Sequence, residues 1–438
     1  MIRSSEEKTA ADSLSLPPAQ GGLQNSLYTV GTRAISGFTR AGILFLIASR
    51  YGPVLFGKLV LAISIMEIFR TFSEFGVDTI AIRRFSQSAQ PDAGTLLGRI
   101  LSAKLVTATT SYLLALAIVV AITRDPVELH LAAITSASLW TANAIGAFSS
   151  YFQSHLQMVR VFWRMLCAAA VYGITSAVAA SWHAPLVLVV ALLPACEALN
   201  CWLLYLTCEQ RPYMRFSIGE TICLLRESLP VGLMSAMLIV CFRLDSILIF
   251  GKLGSAALGV YAAGYRLVEP ALMVPHAFAT TLYALLCRRT AEPLRGRRLL
   301  AAVRHTMWPA YLFIVGTAGM LLLSGRIVLQ HFGTAYVDAY PVLKLLSVAL
   351  VLRTVNLTLT AVLNSRSMYV TLAKITGANL IINLALTLAL IPQFGIRGAA
   401  FAIIITEVAN LAAQFRSCLT SAPSAKPVYV LNVGPECE

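Results

Sequence analysis

The stretch CFRLDSILIFGKLGSAALGVYAAGYRLVE, Cys241 to Glu269, places Arg243 and Asp245 in a run apolar enough to lie in lipid. Arg266 and Glu269 sit in the apolar run that follows it. Arg33, Arg40, Glu67, Arg70 and Arg353 occupy similar runs elsewhere in the chain. An ionised group at the centre of a spanning helix costs about 2.5–3.5 kcal/mol even on lenient insertion scales. Charges kept there either pair across helices or line a polar cavity. Glu67 and Arg70, and likewise Arg266 and Glu269, are spaced i,i+3 and can neutralise each other on one helix face. Arg40 and Arg243 have no acidic residue at i±3 or i±4, which points to a polar cavity, and Arg353 is a similar case. Arg33 precedes Arg40 by seven residues, nearly two turns, so both share a face, with Arg33 close enough to the interface to snorkel. Asp245, two residues from Arg243, points elsewhere on the helix and is expected to pair with an arginine of helix 1. Glu197 and Glu407 read as pairing or packing residues of the last helix in each half. Asn379 and Asn383, at i,i+4, read as interhelical hydrogen-bonding groups.

Other chemistries find little support. The six histidines have no ligand or triad spacing, and the nine cysteines are scattered, mostly through apolar runs. No Gly-x-x-x-x-Gly-Lys motif is present, so no Walker site is expected. The reading therefore includes no metal, no other cofactor and no catalytic residue.

The elements that must position the charges follow from composition. The 438 residues are 58% hydrophobic and 12% charged, with a mean hydropathy of +0.75. Soluble domains carry about 25% charged residues, so this is a polytopic membrane protein. Apolar runs predict helices at 27–49, 54–74, 96–122, 129–152, 163–182, 185–208, 229–251, 258–287, 306–329, 340–363, 369–391 and 396–416. Pro270 and Pro275 predict a kink in the eighth. The expected fold class is all-α integral membrane, about twelve transmembrane helices in two pseudo-symmetric six-helix lobes around a central cavity. Residues 1–24 contain no apolar h-region, so the first membrane helix is expected to direct insertion.

An even count puts both termini on one side. Loops on that side hold fifteen Lys and Arg against five (Arg50, Arg124, Lys252, Arg326, Arg397) on the other, which predicts cytoplasmic termini. The net charge of +14 is assigned to this asymmetry rather than to nucleic acid, because no basic run carries interleaved aromatics.

Ser49–Glu67 aligns without gaps on Gly251–Glu269. Arg50 falls on Lys252, Gly52 on Gly254, Gly57 on Gly259 and Glu67 on Glu269, all at an offset of 202. This predicts a duplication into parallel six-helix lobes related by an axis along the membrane normal. The expected division is a flexible cytoplasmic tail at 1–24, an N-terminal lobe at 25–210, a cytoplasmic linker at 211–228, a C-terminal lobe at 229–416 and a flexible cytoplasmic tail at 417–438.

The stretch RYGPVLFGKLVLAISIMEIFRTFSEFGVDTIAIRR, with Gly52, Gly57, Gly76 and Arg83, resembles the start of polysaccharide flippases of the multidrug/oligosaccharidyl-lipid/polysaccharide exporter superfamily. Pro230, Arg243, Asp245, Gly259, Tyr261 and Glu269 continue the resemblance, as do HFGTAYVDAYPVLKLL and NLALTLALIPQFGIRGAAFA. It covers about residues 26–416. TLYALLCRR stands where similar proteins often have a proline at the end of helix 8. No helix is expected beyond the twelfth, unlike the related peptidoglycan-precursor flippases, which argues against that substrate.

The resemblance implies a carrier of undecaprenyl-diphosphate-linked oligosaccharide, from the cytoplasmic to the outer leaflet of a bacterial inner membrane, for exopolysaccharide, capsule or O-antigen. It implies a cavity lined by helices 1, 2, 7 and 8, and a diphosphate held by arginines, whose planar fork binds phosphate oxygens bidentately. The candidate ligands are then Arg33, Arg40, Arg70, Arg243, Arg266 and Arg353, with Glu67, Asp245 and Glu269 as coupling or ion-pair groups. Implied partners are the lipid-linked substrate, membrane lipids, and a polysaccharide polymerase with its export machinery. The nearest rival, a cation-coupled multidrug exporter, needs buried carboxylates free of arginine, whereas helix 1 carries two arginines and no acid. A glycan polymerase or glycosyltransferase needs a folded extramembrane region, and the outer loops are short.

Overall fold

The computed structural model describes residues 19–87, 93–214, 216–288, 296–366 and 368–420. Among them all regular structure is helical. The helices are α1 (Ala19–Glu74), α2 (Val77–Gln87), α3 (Ala93–Ile122), α4 (Pro126–Ser154), α5 (Met158–Ser181) and α6 (Leu186–Thr207), then α7 (Ile218–Val268), α8 (Met273–Arg288), α9 (Gly296–Phe332), α10 (Tyr340–Ser365), α11 (Tyr369–Phe394) and α12 (Ile396–Thr420).

Two of these cannot be straight. At 1.5 Å per residue the 56 residues of α1 would run about 84 Å, far beyond a hydrocarbon core about 30 Å thick. The helix breaks at Gly52 (φ 77°, ψ 171°), and α7 breaks in the same way at Gly254 (φ 83°, ψ 179°). Arg40 and Glu67 flank the first break and approach to 3.9 Å. Arg243 and Glu269 flank the second and approach to 2.8 Å. Each break is therefore a full reversal, and α1 and α7 each contribute a helical hairpin. Only glycine adopts such backbone without strain. Span 2 continues into α2 beyond Gly76, and span 8 runs through a 3₁₀ turn at Glu269–Leu272, the kink expected at Pro270, into α8. Among the described residues twelve spans result.

The loops sort to two ends. Tyr51, beside the Gly52 reversal, donates its hydroxyl to the Ala184 carbonyl in the loop after α5 (2.6 Å), and Lys58 pairs with Asp125 ahead of α4. Tyr336, in the 3₁₀ segment Thr334–Ala339, donates to the Ala48 carbonyl at 2.9 Å. All three contacts lie at what we call the hairpin end. At the opposite end Asn25 accepts a bond from the Met158 amide at 2.8 Å, and Arg84 of α2 meets Glu227 of α7 at 2.6 Å. Leu113, Leu114, Ile174, Leu312, Leu323, Val370 and Ile381 are exposed on the outside of the bundle, as a lipid-facing surface requires.

The duplication is visible as contact geometry. Gly57 packs on the Ser255 carbonyl and the Gly259 amide, while Gly259 packs on the Pro53 carbonyl and the Gly57 amide. Ser255 is Pro53 plus 202, so each glycine touches its own repeat copy and the same neighbour of that copy. Such reciprocity is the signature of a twofold axis. The pseudo-axis passes between the two glycines, where a Cβ on either would overlap the opposing backbone.

Helix ends differ from expectation in one instructive place. α7 starts at Ile218, where the apolar pattern places the seventh span from 229. Ser217 caps it by accepting from the Glu220 amide at 3.4 Å. The polar first turns extend past the apolar run, and Glu220 and Glu227 on them reach Arg99 (3.3 Å) and Arg84 (2.6 Å). The expected tails fall at 1–24 and 417–438. Of these, residues 1–18 and 421–438 lie outside the described residues, while 19–24 and 417–420 belong to α1 and α12.

Candidate functional site

The buried charges form a chain across the lobe interface. Glu67 of span 2 is approached by Arg40 of span 1 (Nη1–Oε1, 3.9 Å) and is paired with Arg243 of span 7 through Nε and Oε2. Arg243 donates from Nη2 to Oε1 of Glu269 at 2.8 Å, and Arg266 donates from Nη1 to Oε2 of the same carboxylate at 2.6 Å. The order Glu197, Arg40, Glu67, Arg243, Glu269, Arg266 alternates in sign, three carboxylates against three guanidiniums. Arg243 is only 8% exposed. Glu67 and Glu269 are equivalent in the repeat, so Arg243 sits between two axis-related acids, one from each lobe. The hairpins explain the meeting. Each reversal brings a mid-span arginine of one helix beside a mid-span glutamate of the next.

Two cavities flank this chain. One, a narrow cleft at the interface, lies between Val60 and Arg243, Ser246, Tyr261, Tyr265 and Arg266. The larger, of about 630 Å³, lies inside the N-terminal lobe between spans 1, 2, 4, 5 and 6 and is lined by Arg40, Arg70, Tyr172, Glu197 and Asn200. Its chemistry is mixed. Glu197 stands 3.7 Å from Arg40 and accepts from the Thr141 hydroxyl at 2.8 Å, and the buried Asn200 leaves Oδ1 without a partner.

Several pairings differ from the sequence expectation. Arg70 does not turn to Glu67: it donates Nε to Glu74 Oε1 at 2.9 Å, an i,i+4 pair. Glu67 already faces two arginines, and the acid one turn further on is free to take Arg70. Arg266 and Glu269 do pair as the i,i+3 spacing indicates. Asp245 meets no arginine of helix 1. Its carboxylate accepts from the Tyr261 hydroxyl (3.5 Å) and the Thr387 hydroxyl (3.4 Å) inside the C-terminal lobe. The direction that takes Asp245 off the Arg243 face aims it at span 11.

Arg353 is held by Glu407 (2.7 Å) and the Tyr265 hydroxyl (3.2 Å), its guanidinium 5.0 Å from the Phe242 ring centroid. Glu407 thus pairs as expected. Arg33 is exposed and has no ion pair among the described residues. Asn379 and Asn383 are buried, but Asn383 Oδ1 has no hydrogen-bond partner in place of the interhelical bond expected. Glu197 is the site residue that sequence reasoning missed. A pointer was available: spans 1 and 2 hold Arg40 and Arg70, and Glu197 is the only acid in span 6.

Twelve spans reversing at paired glycines, with a charged seam between two six-helix lobes, define a polytopic membrane protein with a transporter fold. The chain belongs to the polysaccharide biosynthesis protein family, whose model matches residues 23–286. No curated protein sequence matches it. Among solved structures it is similar to the lipid II flippase MurJ in an inward closed conformation, with TM-score 0.71, 13% identity, and coverage of 91% of this chain and 88% of that one. It is also similar to an inward-facing multidrug resistance MATE family transporter of the MOP superfamily (TM-score 0.68, 15% identity, coverage 91% and 96%). A third is a MOP superfamily transporter from Pyrococcus furiosus whose binding pocket is described as reversed in polarity (TM-score 0.62, 15% identity, coverage 90% and 93%).

Proposed function

We propose that this protein is a flippase for undecaprenyl-diphosphate-linked oligosaccharide, moving it from the cytoplasmic to the outer leaflet of a bacterial inner membrane for surface polysaccharide synthesis. The observation that carries the reading is the cluster of three arginines on the lobe interface, Arg40, Arg243 and Arg266, with Arg40 opening on the N-terminal-lobe cavity and Arg243 and Arg266 on a narrow interface cleft. A diphosphate entering lipid-excluded space loses its water, and guanidinium forks supply the replacement donors. Arg33, on the face of span 1 shared with Arg40 and without an ion pair among the described residues, is the first cation met on the way in. Arg70, paired with Glu74, and Arg353, paired with Glu407, stand outside the inter-lobe series of charges and act as outer ligands.

The mechanism is alternating access by two lobes, residues 25–210 and 229–416, joined by a linker at 211–228. No bond is made or broken. The Lys and Arg asymmetry of the loops supports cytoplasmic termini, with the hairpin end facing outward. A polymerase and export machinery acting on the delivered lipid are the partners this role calls for. One observation favours a cation-coupled exporter instead: Asp245 is buried with two hydroxyl donors and makes no salt bridge among the described residues. Deleting the gene and analysing the membrane lipids separates the two. A polyprenyl-diphosphate-linked sugar should build up on the cytoplasmic leaflet, and an unchanged lipid pool with raised drug sensitivity would overturn the flippase reading.

A further inference from the structure

Glu67 stands between two guanidiniums at the lobe interface. Its two oxygens face arginines from opposite lobes, Oε1 toward Arg40 and Oε2 toward Arg243. The pair with Arg243 is, among the described residues, the only ion pair between the lobes away from the opposite-end contacts of Glu220 and Glu227. Glu269 is different in kind: both arginines it holds, Arg243 and Arg266, belong to its own lobe.

We propose that Glu67 is a specificity-determining residue, an internal competitor that a head group must displace from Arg40 and Arg243. Displacement parts the mid-membrane link between lobes. The inference rests on the diphosphate reading above. A carboxylate bridging two guanidiniums is displaced only by an anion that satisfies both, and a diphosphate carries two phosphoryl groups for two forks. A singly phosphorylated lipid offers one. Selection of diphosphate over monophosphate and release of the lobes then become the same event, set by one side chain.

The experiment measures equilibrium binding of farnesyl diphosphate and farnesyl monophosphate to the full-length protein in nanodiscs. Each close charge pair removed from the competing state is worth about tenfold or more in the binding constant. Glu67→Gln should bind farnesyl diphosphate about tenfold more tightly than wild type. It should gain still more for the monophosphate, so that discrimination between the two collapses. Glu67→Asp keeps the charge, withdraws it by one methylene, and should fall between the two while folding like wild type. Glu209→Gln, in the pair with Arg160 away from the arginine cluster, leaves the inter-lobe pair in place and should retain wild-type discrimination.

Three results would overturn the proposal. If wild type binds the diphosphate and Arg243→Ala loses it, yet Glu67→Gln binds no more tightly, Glu67 is a structural partner and the competitor idea fails alone. Equal gains for both lipids in Glu67→Gln also defeat it. If wild type binds farnesyl diphosphate no better than farnesol, the diphosphate reading itself falls and takes the inference with it.

Discussion

The glycine pair at the pseudo-axis makes a sharp test of how the lobes are held. In Gly259→Ala a Cβ would overlap the Pro53 carbonyl, and in Gly57→Ala it would overlap the Ser255 carbonyl, both backbone atoms that no rotamer change can move. Overpacking a rigid contact costs about 1–3 kcal/mol, here charged to the state in which the lobes meet at the hairpin end. The ratio of separated to closed hairpin ends should rise by about fivefold to over a hundredfold, because 1.4 kcal/mol is a factor of ten. Symmetry adds two requirements. Either single variant should act about equally, since each glycine meets the same neighbours in the other repeat. The double variant should cost less than the sum, because lobes already parted by one methyl have room for the second. Val60, buried one turn beyond Gly57, is the reporter position. A cysteine there, in a background lacking the others, should react with a membrane-impermeant maleimide faster in the variants, in proportion to the shift. Labelling at the wild-type rate in Gly57→Ala and Gly259→Ala, or additive effects in the double variant, would refute the close-packed axis.

Three further tests follow from the charges and the topology. Arg353→Leu should strand Glu407 in the C-terminal lobe and lower stability by about 3–5 kcal/mol, and adding Glu407→Leu should restore the melting temperature in detergent. Export should fall in the order wild type, Arg243→Lys, Arg243→Ala, with head-group binding about ten- to a hundredfold weaker in the alanine variant, as loss of one charge-assisted bond of roughly 1.5–3 kcal/mol predicts. Adding Asp245→Asn should not rescue Arg243→Ala, because Asp245 binds Tyr261 and Thr387 rather than Arg243; full rescue would contradict the ladder. Single cysteines in the 288–305 segment should label from the cytoplasm and those at 123–128 from outside, and labelling of both from one side would defeat the twelve-span topology.

The spans and the repeat were legible in the sequence because both leave local marks. A run of about twenty apolar residues is a span wherever it packs. The register of Gly52 with Gly254 and of Gly57 with Gly259 records a backbone requirement that no side-chain residue meets. The residues of the charged site were also visible, since burying an arginine is conspicuous at any depth. Their partners were not. Helical spacing limits Arg70 to Glu67 or Glu74 and cannot choose between them, because the choice depends on Arg243 arriving from another lobe. Asp245 could be separated from Arg243 by its angle on the helix, but the direction of span 11 was needed to give it Thr387. The early start of α7 was hidden because its first turns lie beyond the apolar run and are set by a cap and by two inter-lobe carboxylates.

The scaffold and the charges obey different symmetries. Glu67 and Glu269 are copies of each other, yet 202 residues before Arg243 the chain has Ala41, and 202 residues after Arg40 it has Phe242. Two identical subunits meeting on an axis would have to bring arginine in twos, one on each side, and the pattern of charge between them would have no sense of direction. Joining both repeats in a single polypeptide removes that obligation. One copy has an alanine where the other has the guanidinium, and an even-handed frame has a centre that tells one lobe from the other. The lipid-linked oligosaccharide proposed above, with a tail at one end and sugars at the other, would be held by such a centre in only one orientation.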